Sequence, residues 1–192
     1  MKPDKEFKFI TLMLLLFLVI SLIYTIITRN AEFALYTPLM ILFVIVLYHY
    51  HKKLHLTNYL LAALSIEMIL HVLGGVLFFK GIRLYAMHFG AIGYDNLTHV
   101  FGMFVFTLIA YNFLRPHLDK SIKKSPIYFA AILLIFSAGL GAINEMLEFM
   151  VVLFWENGAH LIGDYYNTLW DLIANLLGAT CAIILAIKYH LR

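Results

Sequence analysis

Residues 9–28 of the chain read FITLMLLLFLVISLIYTIIT, a run of 20 residues without a charged side chain. As a helix that rises about 1.5 Å per residue, the run spans the hydrocarbon layer of a bilayer, which is about 30 Å thick. It exceeds the apolar segment of a signal peptide, about 7–15 residues, and no small-residue cleavage site follows it. We therefore expect a membrane helix that the protein retains.

The rest of the chain is similarly apolar. Of its 192 residues, 63% are hydrophobic and 13% are charged, and the mean hydropathy is +0.89. A soluble globular domain is about 45–50% apolar and about 25% charged, so the composition excludes one. The single cysteine, Cys181, rules out a disulfide within the chain. The sequence has no phosphate-binding loop and no basic groove, and we expect no nucleic-acid partner.

Five more apolar stretches of similar length follow the first. The six predicted helices cover residues 9–28, 33–50, 58–79, 96–114, 127–155 and 168–190. Helices are expected because no strand period is visible and because only helices and closed barrels satisfy their backbone in lipid. The sequence thus predicts an all-α polytopic membrane protein, with residues 1–192 in a single membrane domain. The amphipathic connection 80–93 is expected to be either an interfacial lid or a simple link.

Basic residues predict the orientation in the membrane. Eleven of the 14 lysines and arginines fall at the two ends of the chain and in the second and fourth connections, and the other three are Arg29, Lys80 and Arg83. Cytoplasmic segments are enriched in lysine and arginine. Both termini are therefore expected in the cytoplasm, with the connections near residues 29–32, 80–94 and 156–167 outside.

Polar side chains on the last four predicted helices, within residues 58–190, recur three or four residues apart, so each helix carries them on one face. They are Glu67 and His71, Asp95 and His99, Asn144, Glu145 and Glu148, and Asp171 and Asn175, with Asp164 just before the last helix. Counted along the helices, these groups fall in the outer leaflet, except that Glu67 lies near mid-membrane. Because ionisable groups in a membrane are costly, their convergence predicts a six-helix bundle with a polar cavity that opens to the outer face.

Metal binding and acid–base chemistry both suit such a cavity. Glu145 and Glu148 cannot both stay ionised at close range without compensation, so they either share a proton or flank a cation. The candidate ligands of a divalent metal ion are His71, His99, Glu145, Glu148 and Asp171. The candidate catalytic residues are Asp95, His99, Glu145, Glu148 and Asp171, with Asp95 orienting His99. The other residues expected in the cavity are Glu67, Asn144, Asp164 and Asn175.

Some polar and small residues also suit a purely structural role. Glu67 and the two asparagines can serve as hydrogen-bonding contacts between helices. Small residues let membrane helices approach closely, and the glycines expected at such contacts are Gly74, Gly75, Gly139, Gly141 and Gly178.

Four short motifs together resemble a known family. They are His71-Val72-Leu73-Gly74-Gly75, Tyr94-Asp95-Asn96 with His99, Glu145 with Glu148-Phe149, and Gly163-Asp164 with Thr168 and Trp170-Asp171. Through these motifs, residues 65–180 resemble the YjdF-like inner-membrane proteins, a family that looks related to the VanZ-like group. Where the family pattern has an aspartate, this chain has Asn167, which we do not expect to be a ligand. The resemblance implies the cytoplasmic membrane of a prokaryote and, because VanZ-like proteins are associated with glycopeptide resistance, work on the cell envelope.

Three functions fit these observations. The first is a membrane protein whose outward-facing His/carboxylate site binds a divalent cation and hydrolyses or modifies a lipid or envelope substrate with an activated water. The second is a proton- or cation-coupled carrier, in which Glu67 extends the polar path inward. The third is a non-catalytic accessory or small-ligand-binding protein whose polar residues only stabilise the fold. The sequence selects neither the metal, nor the substrate, nor the oligomeric state.

Overall fold

The structure, a computed structural model, describes residues 3–90, 92–154 and 165–190. Six helices are long and apolar enough to cross a membrane, which confirms the predicted all-α polytopic fold. They are α1 (Lys5–Ile27), α2 (Ala31–Tyr50), α3 (Asn58–Val76), α4 (Tyr94–Leu114), α6 (Pro126–Phe154) and α7 (Tyr165–His190). The short helix α5 (Lys120–Lys124) lies between α4 and α6 and follows a single 3-10 turn, Arg115–His117.

The connection between α3 and α4 differs most from the prediction. Helix α3 ends at Val76, and the next residues pair as two antiparallel hairpins, β1 (Phe78–Phe79) with β2 (Ile82–Arg83) and β3 (His88–Phe89) with β4 (Ile92–Gly93). A 3-10 turn, Leu84–Ala86, separates the hairpins. Lys80 and Gly81 link β1 to β2 with φ of +52° and +80°, the left-handed geometry of a tight two-residue hairpin. The connection is therefore built from hairpins rather than from an extension of α3.

The chain divides into two compact units, Met1–Thr98 and His99–Arg192. In the first unit, Asn58 at the start of α3 donates to Asp4 and Glu6 at the start of α1, with N–O distances of 3.2 and 2.8 Å. Asn30, between α1 and α2, donates to the carbonyl oxygen of Gly75 near the end of α3, at 3.0 Å. Helices α1 and α3 therefore run in one direction and α2 runs in the other. The expectation of a single membrane domain stays a prediction.

The second unit contains most of α4 together with α5, α6 and α7. Its apolar core lies where the end of α4, the start of α6 and the end of α7 meet, and its buried residues are Ala110, Tyr111, Phe129, Leu133, Ile183 and Ala186. Further along, the hydroxyl of Thr107 donates to that of Ser137 at 2.9 Å. Helices α4 and α7 therefore run in one direction and α6 in the other. The opposite ends of the same three helices carry the polar residues described below.

Four of the five predicted glycine contacts are present in the structure. A Cβ built at Gly75 would lie 1.8 Å from the ring of Phe33, and one at Gly178 would lie 2.1 Å from the carbonyl oxygen of Val100. Gly74 and Gly141 likewise lie against side chains of other elements. For Gly139 the prediction is wrong within the described residues, because no atom of theirs lies within 4 Å of the added Cβ.

Candidate functional site

His99 stands among carboxylates in the second unit. Its Nδ1 lies 3.6 Å from Oε1 of Glu145, and its Nε2 lies 3.8 Å from Oε1 of Glu148 and 3.9 Å from Oδ1 of Asp171. The histidine comes from α4, the two glutamates from α6 and the aspartate from α7. Both nitrogens of one imidazole therefore face carboxylate oxygens contributed by the two other long helices of the unit.

The helical spacing and two glycines account for this arrangement. Glu145 and Glu148 are three residues apart on α6, and Asp171 and Asn175 are four apart on α7, so each pair shares a helix face. A Cβ built at Gly141 on α6 would lie 3.2–3.4 Å from the side chain of Asn175, which therefore occupies space that a larger residue would take. Gly178 lets α7 approach the backbone of α4 next to His99.

The site is largely removed from solvent. The side chain of Asp171 is fully buried, those of Glu145 and His99 are 8% and 9% exposed, and that of Glu148 is 16% exposed. Burying a carboxylate is costly unless hydrogen bonds or an opposite charge compensate for the lost hydration. Glu148 is the most accessible of the three carboxylates and marks the edge of the site.

Three asparagines donate hydrogen bonds to the carboxylates. Asn175 donates to Glu145 Oε1 at 3.4 Å, and its Oδ1 lies 3.3 Å from His99 Nδ1. Asn144 donates to Glu148 Oε1 at 2.8 Å, and Asn167 donates to Asp171 Oδ2 at 2.7 Å. Neutral amides therefore orient the carboxylates without neutralising them.

Asn167 is a residue whose role the sequence reasoning missed. From the sequence alone, Asn167 was expected only to lack the charge of a ligand. In the structure its amide holds the fully buried Asp171. The spacing of four residues between them, which places both on one face of α7, was the signal that could have revealed the contact.

The distances suit a bound cation. One ligand atom from each of His99, Glu145 and Glu148 lies within 4.8 Å of the other two. Around an ion with bonds of about 2.0–2.2 Å, two ligand atoms lie at most about 4.4 Å apart. The separations within this set, at most 4.8 Å, exceed this limit by no more than about 0.4 Å. The three side chains could therefore hold a metal ion with small rotations.

The other predicted site residues belong to the first unit or lie outside the described residues. Asp95 is half-buried on α4, one turn before His99. Glu67 and His71 are half-buried on α3, in the first unit. Asp164 lies outside the described residues. The second unit thus brings together His99, Glu145, Glu148, Asp171 and both cavity asparagines.

His71 has its own surroundings in the first unit. Its Nδ1 is hydrogen-bonded to the hydroxyl of Tyr85, which lies in the 3-10 turn between the hairpins. The rings of Phe33 and Tyr36 on α2 lie beside it, with centroids 5.4 and 6.1 Å away. Gly74 provides the room, because a Cβ there would lie 2.9 Å from the ring of Tyr85. This histidine therefore connects α3 to the hairpin segment.

A buried ion pair beside His71 was not foreseen from the sequence. Arg83 Nη2 lies 2.7 Å from Oε2 of Glu32, and the side chains are 15% and 5% exposed. Arg83 Nε also donates to the carbonyl oxygen of Gly75 at 3.1 Å, and its guanidinium lies 5.3 Å from the ring centroid of Phe33. Glu32 and Arg83 carry opposite charges and were predicted on the same side of the membrane. This was the one sequence feature that indicated their pairing.

Comparison with known proteins assigns the chain to a family. The family described as "Predicted membrane protein (DUF2238)" matches residues 9–192. No curated protein and no solved structure matches the chain. The family match agrees with the six apolar helices, and together they make the chain a multi-pass membrane protein.

Proposed function

Because the chain belongs to the family described as "Predicted membrane protein (DUF2238)", we propose a function that polar residues perform within a membrane. That function is the binding of a divalent cation by His99, Glu145 and Glu148. The observation that carries the proposal is the closeness of three ligand atoms, all within 4.8 Å of one another. Imidazole nitrogen and carboxylate oxygen are ordinary ligands of Zn²⁺ and of other first-row divalent metals.

The charge balance supports a cation. Glu145, Glu148 and Asp171 would place as many as three negative charges around one imidazole in a site that is mostly closed to solvent. Carboxylates close together in a low dielectric repel each other and favour either protonation or a positive partner. Asn144, Asn167 and Asn175 would serve as outer-shell residues that fix the orientation of the ligands.

The bound ion would act on a lipid or cell-envelope substrate. A cation that is held by protein ligands and keeps one coordination position open activates a water molecule for hydrolysis. In the proposed reaction the water oxygen bonds to the carbonyl carbon or phosphorus of an ester. The bond to the leaving alcohol breaks, and the proton of the water ends on that alcohol. The resemblance to YjdF-like and VanZ-like proteins, through the motifs around His71, His99, Glu145 and Asp171, supports an envelope substrate.

We also propose the cytoplasmic membrane of a prokaryote as the location, with both termini in the cytoplasm. The excess of lysine and arginine at the chain ends and in alternate connections supports this orientation. In this orientation the ends of α4, α6 and α7 that carry His99, Glu148 and Asp171 face outward.

Metal analysis of the purified full-length protein tests the cation site. We expect one equivalent of bound Mn²⁺ or Zn²⁺ after loading and gel filtration in detergent, and its loss in the Glu148→Gln and His99→Gln variants. Glu6→Gln, which changes a carboxylate on α1, is the matched control and should retain the metal. Elution volume and unfolding temperature establish that each variant is folded.

Two results would overturn the proposal. Folded wild-type protein without stoichiometric metal would remove the cation site. Cation accumulation inside sealed proteoliposomes that is lost in Glu67→Gln but not in Glu148→Gln would replace it with the carrier function.

A further inference from the structure

Asn144 marks a gap in the packing of α6. Ser137 and Val151 lie seven residues before and after it, two helical turns in each direction, and both are fully buried. Residues seven apart lie on nearly the same helix face, yet Asn144 between them is exposed. Its amide donates to Glu148, the most accessible carboxylate of the proposed cation site. The site therefore has an open side at Asn144.

This open side continues onto an apolar surface. Leu147, three residues after Asn144, is 47% exposed, and Ile143 is 54% exposed. Exposed apolar side chains on a membrane-spanning helix face acyl chains. A path from the bilayer to Glu148 therefore runs past Leu147 and Asn144.

The position of Glu148 along α6 corresponds to the headgroup boundary of a bilayer. Helix α6 has 29 residues, a length of about 43 Å at about 1.5 Å per residue, and a bilayer with its headgroups is about 40–45 Å thick. Glu148 precedes Phe154, the last described residue of α6, by six residues, or about 9 Å. In a helix that spans such a bilayer from end to end, a headgroup layer of about 5–7 Å would place Glu148 just beneath it, where phosphate and ester groups meet the acyl chains.

We propose that the ligand of this site is a phospholipid that enters sideways from the bilayer past Leu147 and places its phosphate on the cation. The inference rests on the proposed cation site, because the phosphate anion would complete the coordination of the metal. Inorganic phosphate or glycerol phosphate offers the same anionic group but gains nothing from the apolar edge formed by Ile143 and Leu147. The open side therefore favours a ligand that has acyl chains.

Native mass spectrometry of the delipidated, Mn²⁺-loaded full-length protein tests this. We expect one retained phosphatidylglycerol per chain, and at least about tenfold weaker retention of diacylglycerol with the same acyl chains or of glycerol phosphate. Leu147→Trp, which fills the entrance with a larger side chain, should weaken phosphatidylglycerol retention by a similar factor and leave the metal content unchanged. Leu153→Trp is the matched control, because this exposed residue lies on another side of the same helix, and it should retain both.

The outcomes separate the two proposals. Bound metal with no selective phosphatidylglycerol, or with retention unaffected by Leu147→Trp, overturns the phospholipid inference and leaves the cation site standing. Phosphatidylglycerol that is lost in Leu147→Trp from protein without metal supports sideways entry and overturns the cation site. Equal retention of phosphatidylglycerol and glycerol phosphate overturns the requirement for acyl chains.

Discussion

Gly178 on α7 lies against the backbone of Val100 on α4, so closely that an added Cβ would be 2.1 Å from the carbonyl oxygen. Val100 directly follows His99, and Gly178 lies three residues after Asn175. This contact therefore sets the distance between the helix that carries the imidazole and the helix that carries its amide partner.

Substitution of Gly178 should separate these two helices. In Gly178→Ala the methyl group meets backbone atoms, which cannot rotate away, and overpacking of this kind typically costs about 1–3 kcal/mol. We expect a lower unfolding temperature in detergent and weaker binding of Mn²⁺. Gly139→Ala, at a glycine with open surroundings among the described residues, is the control and should lower neither the unfolding temperature nor the affinity for Mn²⁺. Equal losses in the two variants would show that the contact with Val100 does not determine the result.

Asn175 should determine the affinity of the site for a cation. Asn175→Leu removes the amide that donates to Glu145 and the oxygen that faces His99. Loss of a residue that orients a ligand typically weakens metal binding about 10–100-fold. Isothermal titration with Mn²⁺ measures this change. Asn112→Leu, the same substitution on α4 outside the group, should bind as the wild type does, and unchanged affinity in Asn175→Leu would contradict the orienting role.

Removal of the cation should destabilise the protein. A ligand at about 100 times its dissociation constant stabilises the folded state by about 2.7 kcal/mol. We therefore expect EDTA to lower the unfolding temperature of the loaded wild-type protein, and added Mn²⁺ to restore it. Glu148→Gln should show no response to either treatment. A response of equal size in Glu148→Gln would place the stabilising metal elsewhere.

Much of the fold followed from the sequence because a bilayer imposes a simple rule. A charge-free run of about 20 residues must form a helix, since lipid offers no hydrogen-bond partner to an exposed backbone. The polar residues on each helix were identified in the same way, because spacings of three and four define a face. Glu145 with Glu148 and Asp171 with Asn175 are examples, and the structure places all four beside His99.

Contacts between distant segments did not follow from the sequence. Periodicity gives the face of a helix but not its neighbour, so the pairing of Glu32 with Arg83, 51 residues apart, was not predicted. The hairpins after α3 were missed because each strand has two residues, too few to show a period. Asn167 was considered only as an absent ligand, since a donor role becomes visible only when its oxygen partner, Asp171, is in place.

The ion pair of Glu32 and Arg83 should show strong coupling. Removing one partner of a buried pair typically costs about 3–5 kcal/mol because the other charge stays buried, whereas replacing both is often close to neutral. We expect Arg83→Met and Glu32→Gln each to lower the free energy of unfolding more than the double variant does. A double-mutant cycle measured by denaturant unfolding checks this. Lys8→Met, at an exposed lysine, should change stability by no more than about 0.5 kcal/mol, and additive effects of the two single variants would contradict the coupling.

Asp4, just before α1, should make stability depend on pH in acid. The backbone N–H of Phe7 donates to its carboxylate at 2.7 Å, and this hydrogen bond, with a second from Asn58, holds the pKa of Asp4 below its ordinary 3.8. A lowered pKa in the folded state stabilises the protein above 3.8, and this contribution disappears as the pH falls through the folded-state pKa. Asp4→Ser keeps a helix cap but does not titrate. We expect the wild-type protein to unfold at a higher temperature than Asp4→Ser near neutral pH, and the difference to shrink in acid. A difference that stays constant down to the lowest pH at which the protein is folded would show that the Asp4 carboxylate is not stabilised by these bonds.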